Sequence, residues 1–139
     1  MPTIQITEQR FDETVKSGIV FIDWWAPWCG PCRAFAPVYE KLAERHADVV
    51  FGKINTEDER RLAAAFNIRA IPTLMVFRDG ILLYDRPGML PAEALEELLQ
   101  GVRALDMDEV RREIAAQEAT AETRTESGTA GEARGDSRE

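Results

Sequence analysis

Apolar positions along the first hundred residues switch between two spacings. Thr3-Ile4-Gln5-Ile6 alternates in the manner of a short strand. Thr7 stands where it can cap the turn or helix carrying Phe11 and Val15, and Gly18 breaks that segment. Ile19 to Trp25 is apolar throughout except for Asp23, which predicts a strand buried on both faces, as inside a largely parallel sheet. From Cys32 onward, Phe35, Val38, Tyr39, Leu42 and Ala43 recur at helical spacing. Pro37 removes an N–H inside that helix and predicts a kink. A strand follows over residues 49–54, a helix over 60–66 with Leu62, Ala63 and Phe66 on one side, and a strand over 73–77. Arg78-Asp79-Gly80-Ile81 supplies an Asp-Gly turn, so the strand from Ile81 to Tyr84 returns antiparallel as a hairpin. Pro91 opens a last helix whose apolar face is Leu95, Leu98, Leu99 and Val102. The order β-α-β-α-β-α-β-β-α predicts an α/β domain of three layers, α/β/α, around a mixed central β-sheet.

The pattern fades after Arg103. Asp106 with Glu109 three residues on fits a capping box, and Leu105 with Val110 fits its hydrophobic staple. A short helix from about residue 107 to 119 is expected, with a stripe of only Met107, Val110 and Ile114. Beyond Ala121 there is no large apolar side chain, so an unstructured tail is expected. The expected division is a domain over 1–103, an acidic helical extension over 104–122 and a disordered tail over 123–139.

Charge marks the same boundary. Of a formal net charge of -8 over 139 residues, the last 36 residues, with 10 acidic and 5 basic side chains, carry -5. An acidic chain is a poor partner for nucleic acid or for anionic membranes, and no run approaches the roughly 20 apolar residues that span a bilayer. The start of the chain has neither a basic region nor a long apolar one, so a cytoplasmic protein is expected. Arg134-Gly135-Asp136 spells an adhesion tripeptide, read here as coincidence in a tail of this composition.

Both cysteines of the chain lie three apart in Trp28-Cys29-Gly30-Pro31-Cys32, directly after the run ending at Trp25. Two thiols at this spacing can close into a disulfide and open again while the fold stays fixed. A helix beginning at the motif would favour negative charge on the first sulfur through its unpaired N–H groups. The thiolate is the attacking form, and a free thiol with a pKa of about 8.5 is mostly protonated at neutral pH. Cys29, preceding the helix, is expected to be the exposed nucleophile, and Cys32, one turn in, the resolving thiol. A zinc or iron–sulfur half-site fits poorly, since zinc needs four ligands and the chain adds only a lone His46, read as non-catalytic. Asp23 is an acid in an apolar strand, and burial would raise its pKa until it holds or accepts a proton near neutrality.

With Asp23-Trp24-Trp25-Ala26-Pro27-Trp28-Cys29-Gly30-Pro31-Cys32, the helix proline Pro37, Lys53, Ile71-Pro72-Thr73 and Gly88 in this order, the chain resembles the thioredoxin family over about residues 3–103. The resemblance implies the thioredoxin fold and a general protein-disulfide reductase working through a redox-active Cys29–Cys32 disulfide. It implies that Asp23 takes the proton of Cys32, that Lys53 neighbours Asp23, and that Pro72 follows a cis peptide bond. It implies a client-binding surface of Trp28, Gly30, Pro31, Ile71 and Gly88, widened to a rim by Ala26, Pro27, Pro87 and Met89. Clients would be disulfide-containing proteins, and thioredoxin reductase drawing on NADPH would restore the dithiol, with no bound cofactor, no metal and a monomeric chain. Thr56, Pro87 and Met89 depart from the family pattern and bear on client preference. An oxidase or isomerase is the nearest alternative enzyme, and a docking platform that recruits a partner through its tail is the alternative of another class.

Overall fold

The computed structural model describes residues 2–138, with side chains described as far as Thr123. The chain divides into two compact units, residues 1–103 and 104–139. In the first, β1 (Thr3–Gln5), α1 (Glu8–Val15), β2 (Ile19–Trp25), α2 (Gly30–Arg45), β3 (Val50–Asn55), α3 (Arg60–Ala65), β4 (Thr73–Arg78), β5 (Ile81–Pro87) and α4 (Ala92–Ala104) follow in the expected order. One sheet of order β1-β3-β2-β4-β5 forms the middle layer. β2 lies parallel to β3 and antiparallel to β4, so its neighbours are mixed, not largely parallel as its composition suggests. What makes β2 apolar on both faces is the pair of helical layers, not the direction of its neighbours.

Strand residues alternate between those layers. Phe21, Phe51, Leu74 and Val76 pack under α2 and α4 with Phe35, Tyr39, Leu42, Leu95, Leu99 and Val102. Val20, Ile22, Trp24, Ile54, Met75 and Phe77 face α1 and α3 with Phe11, Val15, Leu62 and Ala63. Asp23, two positions from Phe21, therefore belongs to the α2 layer.

Local chemistry differs from expectation in places. The Thr7 side chain makes no capping hydrogen bond; the first N–H of α1, at Glu8, donates instead to Glu59 Oε1 from the loop before α3, at 2.8 Å. Pro91 accepts from the Leu95 N–H just ahead of α4, so it caps the helix and does not begin it. The hairpin turn has Asp79 and Gly80 both at positive φ, 53° and 82°, as a two-residue turn of the twisted kind requires. Gly52 of β3 lies under the buried Ile6 side chain, where a Cβ would collide with it. Gly52→Ala is accordingly expected to destabilise the fold by about 1–3 kcal/mol, read from the shift of a urea unfolding curve. An unshifted midpoint would show that Ile6 repacks freely.

In the second unit, α5 runs Met107–Arg138. Asp106 Oδ1 accepts from the N–H groups of Asp108 and Glu109, which is the acceptor half of the expected capping box. The sequence reading ends this helix near residue 119 and leaves 123–139 unstructured, whereas the backbone is helical on to Arg138. Helical hydrogen bonds close within the segment and need no apolar stripe, which is why hydrophobic spacing gives no sign of the longer run. Arg134-Gly135-Asp136 has its side chains outside the described residues.

Candidate active site

The two sulfurs sit at the junction of β2 and α2. β2 delivers the chain to Trp25, a turn closes with the Cys29 N–H on Ala26 O at 3.2 Å, and α2 begins at Gly30. Pro31 lies in the first turn, where its missing N–H leaves nothing unpaired. Arg33 ties the turn from outside, its guanidinium donating to Pro27 O at 2.8 Å. Cys29 is the N-cap of α2, with extended backbone, and its Sγ accepts the Cys32 N–H at 3.2 Å. Cys29 and Cys32 are joined in a disulfide. The helix end thus points an N–H and its dipole at the sulfur that would carry charge after reduction.

Cys29 is not the exposed sulfur that the sequence suggests: it is 4% exposed against 2% for Cys32. Ala26 lies beneath the pair at 0% and does not reach the rim, while Trp25 and Ile71 pack from the sides. The Ile71 carbonyl lies 3.7 Å from Cys29 Sγ, and the Ile71–Pro72 peptide bond is cis. Gly88, at φ 100°, donates its N–H to Pro72 O at 2.8 Å, which fastens the segment after β5 to the Ile71-Pro72 loop. Trp28, next to Cys29 in the chain, is 66% exposed, and Met89 is exposed as well. The structure brings together Trp28, Cys29, Gly30, Pro31 and Cys32 on one turn, and Ile71, Pro72 and Gly88 on the facing loops.

Asp23 lies inside, at 0% exposure, in register with Lys53 on one side and Leu74 on the other. Neither carboxyl oxygen has a hydrogen-bond partner among the described residues. Burial pushes its pKa up to about 7, against a smaller downward pull from the Lys53 charge. Lys53 does not close an ion pair with it; its Nζ stands 4.6 Å from the centre of the Trp25 ring. Tyr39 of α2 shares this layer, fully buried, with its hydroxyl donating to Gly52 O at 2.8 Å. Burial, then the charges of Asp23 and Glu40, hold the Tyr39 phenol well above its usual range.

Two contributors, Glu57 and Tyr39, escape a reading of the sequence, and Thr56 has a structural part that such a reading does not show. Glu57 accepts the Trp28 indole N–H at 2.7 Å and is itself gripped by Arg60 at 3.0 Å, so the exposed ring beside Cys29 is held in place. Thr56 sends both its N–H and its hydroxyl to Trp25 O, locking the end of β2 against β3. Tyr39 reads as one more apolar residue of a helix stripe, and nothing in its spacing reveals its proximity to Asp23. Glu57 and Thr56 sit in a loop after a strand, where no periodicity marks them. His46, at the end of α2, bonds Glu96 of α4 at 2.9 Å.

The Thioredoxin family model matches residues 2–101. A putative thioredoxin 2 from Streptomyces coelicolor is 50% identical over 120 residues, 86% of this chain and 90% of its own length. Those 120 residues exceed the 103 of the first unit, so the similarity continues into the second. The thioredoxin of Bacillus subtilis is 38% identical over 100 residues, covering 71% of this chain and 96% of its own. Among solved structures, a point mutant of the Halobacterium salinarum thioredoxin superposes with a TM-score of 0.69 at 30% identity, over 76% of this chain and 95% of that one. With a Cys-Gly-Pro-Cys disulfide at the strand–helix junction and this match across the whole first unit, the chain belongs to the thioredoxin family, the thiol–disulfide oxidoreductases that work on protein disulfides through their own cysteine pair.

Proposed function

We propose that the chain is a general reductant of protein disulfides in which Cys29 attacks, Cys32 resolves and Asp23 takes the Cys32 proton. The observation that carries this assignment is the Cys32 N–H aimed at Cys29 Sγ from the first turn of α2. That bond and the helix dipole stabilise a thiolate on Cys29 and have no counterpart on Cys32. The Cys29 thiolate displaces one sulfur of a client disulfide, forming a mixed disulfide. Cys32 then loses its proton, and its thiolate attacks Cys29 Sγ, forming the internal disulfide and releasing the second client sulfur as a thiolate; two electrons pass to the client, whose thiolates take up protons from solvent. Asp23, in its ionised form, accepts that proton. Lys53 tunes it through its charge. The backbone of Ile71, turned toward Cys29 at the Pro72 loop, pairs with an extended client segment, a short form of strand addition that is indifferent to client side chains. Trp28, Gly30, Pro31 and Gly88 line the surface on which that segment lies.

Family membership supports thioredoxin reductase, fed by NADPH, as the source of electrons, and a monomeric protein of the reducing cytoplasm. No helix among the described residues is long and apolar enough to cross a membrane. Equilibration with a glutathione buffer tests the direction of transfer: a pair that stays reduced only under strongly reducing conditions fits a reductase, and one reduced readily fits an oxidase or isomerase.

Residues 104–139 form an appendage to this chemistry. Turnover of a disulfide substrate with reductase and NADPH is expected to stay within about twofold of the full chain after truncation at Arg103, since the cysteines, Asp23, Ile71 and Gly88 all lie in the first unit. A large loss on truncation would give the second unit a part in client or reductase binding.

A further inference from the structure

Asp23 and Trp25 point to the same face of β2, two residues apart, and Lys53 of β3 is in register with Asp23. The lysine therefore has two acceptors for its charge, the carboxylate directly opposite and the indole on the diagonal, both within reach of a long side chain. The structure shows which one it takes: Nζ lies 4.6 Å from the Trp25 ring centre, while neither Asp23 oxygen has a hydrogen-bond partner among the described residues. We propose that Trp25 is a positioning residue for the dithiol chemistry, its ring face drawing the Lys53 ammonium off Asp23 and leaving that carboxyl without a bonded counter-ion.

The physical balance favours this arrangement. A closed pair would bury the ammonium beside the carboxylate and strip both of water. Over the indole, the half-buried lysine keeps part of its hydration and still gains the attraction of the ring. The other groups facing Asp23 leave the choice to Lys53. From α2, the Tyr39 hydroxyl is committed to Gly52 O; from β4, the register partner is Leu74; from α4, Leu95 and Leu99 enter the same layer. An opposite charge bonded to a carboxyl favours its ionised form. The Trp25–Lys53 contact therefore keeps Asp23 able to hold a proton near neutral pH, which the closed pair would forbid. This inference rests on the reading of Asp23 as the proton acceptor of Cys32.

The test is a carboxyl-carbon NMR titration of Asp23 in the oxidised full-length chain. Trp25→Leu releases the ammonium, and the acid dissociation constant of Asp23 is expected to rise about tenfold. Trp25→Phe, a weaker host for a cation, should move it the same way by less. In a Lys53→Met background, Trp25→Leu should leave the midpoint where Lys53→Met alone puts it. In the unaltered chain, the Lys53 Hε protons should resonate upfield under the indole ring current, a reading that needs no variant to fold. An Asp23 midpoint that stays or rises in Trp25→Leu, an equal response without Lys53, or unshifted Lys53 Hε protons would each overturn the inference. All these readings are taken without turnover. Full turnover in Asp23→Asn would remove the proton-acceptor reading and leave the Trp25–Lys53 result standing.

Discussion

Cys29→Ser is expected to bring disulfide reduction down to background, a loss of at least about three orders of magnitude, while Cys32→Ser stops the cycle at its midpoint and accumulates client bound to the protein. The difference follows from where the two sulfurs stand. Cys29 caps α2 and its Sγ receives the Cys32 N–H at 3.2 Å, so charge placed there is met by a hydrogen bond and the positive end of a helix. A serine hydroxyl gains nothing from that setting, because it does not ionise near neutral pH and does not displace a sulfur. Cys32 lies one turn further in, and its part begins once Cys29 is bonded to the client. Without it the mixed disulfide has no internal thiol to break it and persists. Gel shift under non-reducing conditions and mass spectrometry of the trapped species read the outcome, and they identify the clients as well. Stable capture by Cys29→Ser through Cys32 would reverse the two roles.

Asp23→Ala is expected to make the oxidised protein more stable at pH 8 by about 3 kcal/mol, and to change it little at pH 4. The carboxyl titrates at about 7 in the fold against 3.8 for the ordinary group. The folded state thus holds the proton more tightly than the unfolded chain does, so folding is progressively penalised as pH rises from about 4 to about 7. Above that window the whole penalty is present; below it the penalty is gone. The interval amounts to about 4 kcal/mol, and the small void left by alanine returns about 1 kcal/mol of it. Urea unfolding of both forms at pH 4, 6 and 8 provides the check. A parent stability as flat with pH as that of the alanine variant would mean that the carboxyl finds a partner in solution.

Much of this architecture is readable before any coordinates. The seven-residue run of β2, the i, i+3, i+4 spacing of α2 and α4, and the Asp79-Gly80 turn each follow from one local rule, and each forms where the rule puts it. The cysteine pair is legible for the same reason, since spacing alone brings Cys29 and Cys32 together. What escapes is whatever depends on two segments meeting. The sequence leaves Glu59 far from the start of α1 and Glu57 far from Trp28, yet each supplies the hydrogen bond that local rules assign elsewhere or do not foresee. The depth of Cys29 is hidden likewise, because Ile71 and Trp25 cover it from other elements. Lys53 shows the subtler limit. Register places it opposite Asp23, but which of two neighbours takes its charge is settled by side-chain geometry.

The two margins of the sheet differ in how they refuse a sixth strand. On one side β1 offers only three residues, too short to template a neighbour. On the other, β5 is bulged where Val76 and Phe77 pair with Tyr84 and Leu82, and it ends in Asp85, Arg86 and Pro87, two charges and a residue with no N–H to donate. The sheet thus keeps both of its backbone borders closed to self-stacking and to fibril growth.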